Sequence, residues 1–322
     1  MAPIDRRLRA WAWLVRRQAS IASKSEAEVI ALQARHAPDN AVTNYIFGKV
    51  APGTEVSDRT IPGPGGDLTV RVYRPVRPPR AGSGGRPLVV YFHGGGFVFG
   101  ELRLGDWLCG NVAVTVGAVV VSVDYRLAPR HRFPAAVDDC YAALTWAAEN
   151  TAALGAGGPL GVMGESAGGN LSAVMCLLAR DRGGPAISHQ VLIYPATDMT
   201  SQPKATAGTP FLSGPEMRAY RRHYLADTDP GDIRVSPQLA GDHSQLPPAL
   251  IQVGEHDPLR GDGVRYAATL RSAGVPVRLT EYVGMPHGYL NFPGLCRLAP
   301  QALAEICAEQ KSALLHPAEA PA

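Results

Sequence analysis

Short β-rich runs alternate with helical patterns from Thr54 almost to the end of the chain, and that rhythm leaves few folds open. Eight strand-like runs stand out, at 54–59, 69–74, 88–92, 119–124, 160–163, 190–194, 250–253 and 277–282. The first two alternate polar and apolar residues around the Pro-Gly-Pro-Gly-Gly sequence at 62–66, which predicts an antiparallel edge hairpin. Later runs such as Leu88-Val89-Val90-Tyr91-Phe92 are almost continuously apolar, as a parallel strand covered on both faces requires. Helical patterns at 104–116, 135–149, 169–180, 261–273 and 299–315 fall between or after them. The expectation is therefore an α/β protein with an eight-stranded, mostly parallel sheet and helices on both faces.

Two stretches break the rhythm: residues 1–50, and a Pro-rich segment at about 197–240 with a helical pattern at 215–225. Together they predict a helical cap over the carboxyl ends of the strands, where open α/β sheets bind ligands. The domain division expected is an N-terminal part of the cap at 1–50 and a catalytic domain at 51–322 carrying the insertion at about 197–240. Near the N-terminus, Ile4, Leu8, Trp11, Trp13, Leu14 and Val15 are expected along one side of a helix, with Arg6, Arg7, Arg9, Arg16 and Arg17 on the other. Such a helix can lie on a membrane, but packing on its own protein is the favoured expectation.

A formal net charge of +3 is too small to imply a nucleic-acid partner. The cysteines, Cys109, Cys140, Cys176, Cys296 and Cys307, are odd in number and form no C-x-x-C pair, which predicts buried reduced thiols rather than disulfides or a metal site. No long apolar run or signal-peptide core is present, so a cytoplasmic location without stable membrane insertion is expected.

Gly164-Glu165-Ser166-Ala167-Gly168 follows a predicted strand and precedes an apolar helix. In that context the motif is a sharp turn presenting a serine hydroxyl at a helix N-terminus, although an ordinary capping serine would look similar in isolation. His93-Gly94-Gly95-Gly96-Phe97 follows the strand at 88–92, and its bare backbone allows N–H groups of Gly95 and Gly96 to converge with that of Ala167 on a developing oxyanion. A phosphate-cradling loop is the weaker reading, since no Lys-Ser/Thr pair follows. Of nine histidines, His287 lies just past the last strand, where its loop can reach the serine; Asp257 follows the strand at 250–253 and can orient the imidazole. The order Ser166, Asp257, His287 suits this fold. His256 remains a rival base, and Asp262 and Asp198 remain rival acids.

These motifs, with Asp124-Tyr125-Arg126-Leu127-Ala128-Pro129, Phe133-Pro134-Ala135-Ala136-Val137-Asp138-Asp139, Asp257-Pro258-Leu259-Arg260 and His287-Gly288, resemble the hormone-sensitive-lipase-like esterases, the bacterial family IV group of the α/β-hydrolase fold. The resemblance implies the triad Ser166, Asp257 and His287, an oxyanion hole including Gly95 and Gly96, and a helical cap. It implies hydrolysis of short- to medium-chain acyl esters with no cofactor. Arg126 and Asp138 are read as structural. Glu165 stands where the family more often has Asp or a small residue, and Gly261 where an acid is commoner. A small-molecule ester is the expected partner and homo-oligomerisation is left open. A non-catalytic receptor on the same scaffold, or amide, lactone or carbamate hydrolysis, are the alternatives.

Overall fold

The structure, a computed structural model, describes residues 2–79, 85–201 and 211–315. Part of the predicted insertion (202–210), part of the turn before β3 (80–84), the C-terminal tail (316–322) and the side chains of residues 15–19, Val15, Arg16 and Arg17 among them, fall outside them. Helices α1 (Arg6–Ala19), α2 (Glu26–Gln33) and α3 (Ala41–Phe47) precede strands β1 (Thr54–Gly63), β2 (Gly66–Pro75) and β3 (Leu88–Phe92). Then come α4 (Asp106–Val112), β4 (Val119–Val123), α5 (Ala135–Glu149), α6 (Thr151–Leu154), β5 (Leu160–Glu165), α7 (Ala167–Asp181) and β6 (Ile187–Ile193). The chain closes with α8 (Gly214–Leu225), β7 (Ala249–Gly254), α9 (Arg260–Ser272), β8 (Val277–Tyr282) and α10 (Ala299–Leu315).

All eight strands form one sheet in the order β1-β2-β4-β3-β5-β6-β7-β8. β1 and β2 make the antiparallel edge hairpin, turning at Pro64 and Gly65, and β2 joins β4 antiparallel. Every other neighbouring pair is parallel. Strand pleating explains the apolar runs: Leu88, Val90 and Phe92 of β3 enter the core on one face of the sheet, while Val89 and Tyr91 enter the core on the other. α5, α7 and α9 cover the first face through residues such as Leu144, Leu171 and Leu270. α4 and α10 cover the second through Leu108, Val112, Leu303 and Ile306.

Leu8 of α1 is fully buried in that second core, so the first helix packs on the protein, as expected. The predicted apolar side of α1 needs correction, because Trp13 and Leu14 are 58% and 41% exposed. At about 100° per residue they lie across the helix from Leu8 and Ala12, among the exposed Arg6, Arg7 and Arg9. Trp11 does face inward, packing edge-on against Phe47 and Phe292. The predicted helix at 104–116 is a composite: a 3₁₀ turn at Leu102–Gly105, then α4, then a wider π turn at Ala113–Gly117. Among the described residues no helix is long and apolar enough to cross a membrane, and all five cysteines are free and buried.

Candidate active site

Five connections leave the carboxyl ends of β3, β5, β6, β7 and β8 on one edge of the sheet, and the chemistry-bearing side chains come from them. After β5, the chain reverses at Ser166, whose φ of 54° is a left-handed value seldom adopted by a residue with a side chain. The flanking glycines permit it. A Cβ on Gly164 would drive into the carbonyl oxygen of Gly168, and one on Gly168 into the carbonyl oxygen of Phe92 at the end of β3. Both are backbone collisions that no rotamer relieves. Replacing Gly168 by Ala should therefore cost about 3 kcal/mol or more, and lower the melting temperature by at least ~4 °C in calorimetry; a shift under ~1 °C would contradict this close approach of α7 to β3.

The loops after β7 and β8 are laced together. Glu255 N–H donates to Tyr282 O, His256 N–H to Met285 O at 2.9 Å, and Gly284 N–H to the Glu255 carboxylate at 2.8 Å. This lacing brings Asp257 and His287 together although 30 residues separate them. His287 Nδ1 lies 2.8 Å from Asp257 Oδ2, and His287 Nε2 lies 2.9 Å from Ser166 Oγ. The other Asp257 oxygen accepts from the Leu259 N–H at 2.7 Å, which fixes the carboxylate's rotation. A carboxylate only accepts, so the imidazole proton sits on Nδ1 and Nε2 is left to accept from the serine hydroxyl.

The rivals are engaged elsewhere. His256 Nε2 points to the carbonyl of Ala2. Asp262 bonds Arg265 at 2.7 Å and the N–H groups of Thr197 and Asp198, with its carboxyl pushed up to about 6 by burial. Asp198 accepts from the N–H and hydroxyl of Thr200.

After β3, Gly95 and Gly96 take φ of 114° and 64°, in the left-handed region that favours glycine. Their N–H groups find no protein acceptor among the described residues, and both glycines share a cavity with Ser166, Ala167 and His287. His93 is not a second base. It is buried and stacked on Tyr125, and burial pushes its pKa down to about 4, so it stays neutral while Nδ1 lies 2.8 Å from Gly94 O. Tyr125 in turn donates to His93 O at 2.7 Å, which places the Asp124 to Pro129 motif under the glycine loop as structure. Arg126 is likewise structural, forming a two-pronged bond to Asp139, and Asp138 is exposed.

The cavity holds about 260 Å³ and is walled by the strand-end loops and by the segment between β6 and β7; among the described residues, none of the N-terminal segment lines it. Its walls include Met199, Phe211, Leu212, Met217, Tyr220 and Phe292, none of which the sequence pattern singles out. Helix α8 is tied to the glycine loop by Tyr224 stacked on Phe97 at 3.9 Å and by Tyr220 edge-on to Phe99. Gln33 of α2 reaches the same region, donating to Val98 O and Ala128 O at 2.6 Å each. Among the described residues no group of three His, Cys, Asp or Glu is placed to hold a metal ion.

A family described by its α/β hydrolase fold matches residues 89–291, which takes in the glycine loop, the serine turn, Asp257 and His287. The chain belongs to the α/β-hydrolase family. Among curated proteins it is 44% identical over 279 residues to the carboxylesterase NlhH of Mycobacterium tuberculosis, covering 83% of this chain and 85% of that protein. It is 46% identical over 248 residues to the carboxylic ester hydrolase LipN of the same organism, covering 74% of this chain but only 65% of LipN. Among solved structures it resembles a hyperthermophilic esterase from the archaeon Pyrobaculum calidifontis, with a TM-score of 0.87 and 38% identity over 97% of this chain and 99% of that one. Within the α/β-hydrolase family the protein is a carboxylic-ester hydrolase of the hormone-sensitive-lipase-like group.

Proposed function

We propose that Ser166, His287 and Asp257 carry out this hydrolysis through an acyl-enzyme, on esters of short to medium acyl chain. One observation carries the reading: an unbroken series of contacts, Ser166 Oγ to His287 Nε2 to His287 Nδ1 to Asp257 Oδ2, at the floor of an apolar cavity. Oγ attacks the ester carbonyl as Nε2 takes its proton, and the carbonyl oxygen becomes an anion facing the N–H groups of Gly95, Gly96 and Ala167. As the tetrahedral species collapses, the C–O bond to the alcohol breaks and Nε2 returns the proton to the leaving oxygen. Water then repeats the sequence, giving up its proton to Nε2 and releasing the acid and free Ser166.

The chain-length reading is supported by the cavity's size, which lies just below the range usual for drug-sized ligands. In the cap, the segment at about 197–240 supplies the outer wall, while α2 backs the glycine loop through Gln33 without lining the cavity. The substrate is a small molecule, and a cytoplasmic location is supported by five buried free thiols. A panel of p-nitrophenyl esters, with a serine-directed phosphonate as control, tests the reading. Turnover should peak at acyl chains of about four to eight carbons and vanish on phosphonylation. A peak beyond about twelve carbons would overturn the chain-length assignment, and activity persisting after complete phosphonylation would overturn the nucleophile.

A further inference from the structure

Glu165, the residue before the nucleophile, takes no part in the relay, yet its side chain is among the most firmly held near the site. It is 3% exposed and turns inward beneath the ends of β3, β5 and β6. Oε1 accepts from the Tyr91 hydroxyl at 3.1 Å and from the backbone N–H of Gly94 at 3.3 Å. Oε2 accepts from the Tyr194 hydroxyl at 2.8 Å. Among the described residues it has no ion-pair partner, so three neutral donors hold a buried acid that would otherwise be costly to keep out of water.

Each donor belongs to a part that borders the reaction. Gly94 immediately precedes Gly95 and Gly96, the loop offered to the oxyanion, and Tyr91 lies on the strand that launches that loop. Tyr194 follows β6 in a left-handed backbone conformation, φ 37°, and its ring meets the His287 imidazole edge to face at 4.9 Å. Its hydroxyl also lies 3.3 Å from the side-chain oxygen of Asn291, which lines the cavity. Burial first, and the charge of Glu165 after it, hold both phenols well above the ordinary tyrosine range, so both remain protonated donors.

We propose that Glu165 is a positioning residue for ester hydrolysis: its carboxylate ties the oxyanion loop to the serine turn and fixes the tyrosine ring against which His287 rests. The proposal builds on the triad reading above. Because Glu165 and Ser166 are consecutive, the spacing between the glycine N–H groups and the attacking oxygen is set through a single side chain. The transition state, with its anion lodged among those donors, depends on that spacing far more than the ground-state ester does.

Glu165→Gln, Tyr194→Phe and the double variant test it. They are compared with wild type for kcat and KM on p-nitrophenyl butyrate, inhibition by an alkyl trifluoromethyl ketone, and active sites counted by phosphonate titration. Per titrated site, Glu165→Gln should lower kcat about 30- to 100-fold with KM held within about twofold, and should weaken the ketone, which forms an oxyanion on Ser166, by a similar factor. Tyr194→Phe should lower kcat about three- to tenfold, and the double variant should be no worse than Glu165→Gln, because both act through one carboxylate. Wild-type kcat and ketone affinity per site in Glu165→Gln would overturn the proposal, as would a loss matched wholly by fewer titratable sites. Should Glu165→Gln not fold, wild-type kcat and ketone affinity in Tyr194→Phe would overturn it, and a parallel loss of both would support it. A wild-type enzyme that neither the phosphonate nor the ketone inhibits would instead sink the triad reading, and this proposal with it.

Discussion

Replacing Ser166 by Ala should lower kcat on p-nitrophenyl butyrate by about 10⁵- to 10⁶-fold, the size of loss expected when the nucleophile of a serine–histidine pair is removed. What remains would come from binding and from the oxyanion donors acting on water. Stability should hardly change. The Ser166 side chain makes no capping bond to α7, and the hydroxyl's contact is with His287 Nε2. Alanine also tolerates the turn's backbone no worse than serine does, since both carry a single Cβ at φ 54°. A variant melting within about 2 °C of wild type yet losing less than about 100-fold in kcat would reject Ser166 as nucleophile.

Asp257→Asn should come next, at about 10⁴-fold in kcat with the fold intact. The carboxylate accepts from Nδ1, which leaves Nε2 unprotonated beside Ser166 Oγ. The amide would keep the bond from the Leu259 N–H on its oxygen and turn its NH₂ toward Nδ1. Nδ1 would then have to accept, the ring proton would move to Nε2, and the base would face the serine already loaded. KM should change little, because Asp257 lies behind the imidazole and does not line the cavity. Kinetics on the purified variant decide it: a loss below about tenfold would pass the role of acid to another group.

Both expectations rest on residues legible in the sequence alone, and the reason is covalent locality. The Gly164 to Gly168 turn, the glycine loop and the loop bearing His287 each encode their shape in a few neighbouring residues, and fold topology fixes their order. The strands read well where an apolar run ends abruptly, as at Leu88–Phe92, or where apolar and polar residues alternate, as at Val277–Tyr282. β6 begins at Ile187, three residues earlier than its predicted run, and that start is hidden in the sequence because Ser188 and His189 carry no strand-like pattern. The outward turn of Trp13 and Leu14 follows from about 100° per residue along the helix, which sets them opposite Leu8 although all belong to one apolar-rich stretch. Met199, Phe211 and Met217 gave no signal as cavity walls, since nothing local distinguishes a methionine beside a ligand from one in a core. The hold of Glu165 on Gly94, Tyr91 and Tyr194 was illegible for a different reason: it needs β3, β5 and β6 side by side in one register, with Tyr91 opposite Met163 and Glu165 opposite Ile193.

The Asn170 side chain donates to Ala196 O at 2.6 Å and to Val235 O at 2.7 Å, so the helix that follows Ser166 also grips the excursion between β6 and β7 at two points, one near its start and one well along it. That excursion supplies much of the cavity wall, while the reacting groups stay rooted in the sheet. Between those two anchors, the positions other than the tyrosines that tie α8 to the glycine loop can drift in sequence. A lineage of such enzymes could acquire new substrate tastes there while inheriting its chemistry unaltered.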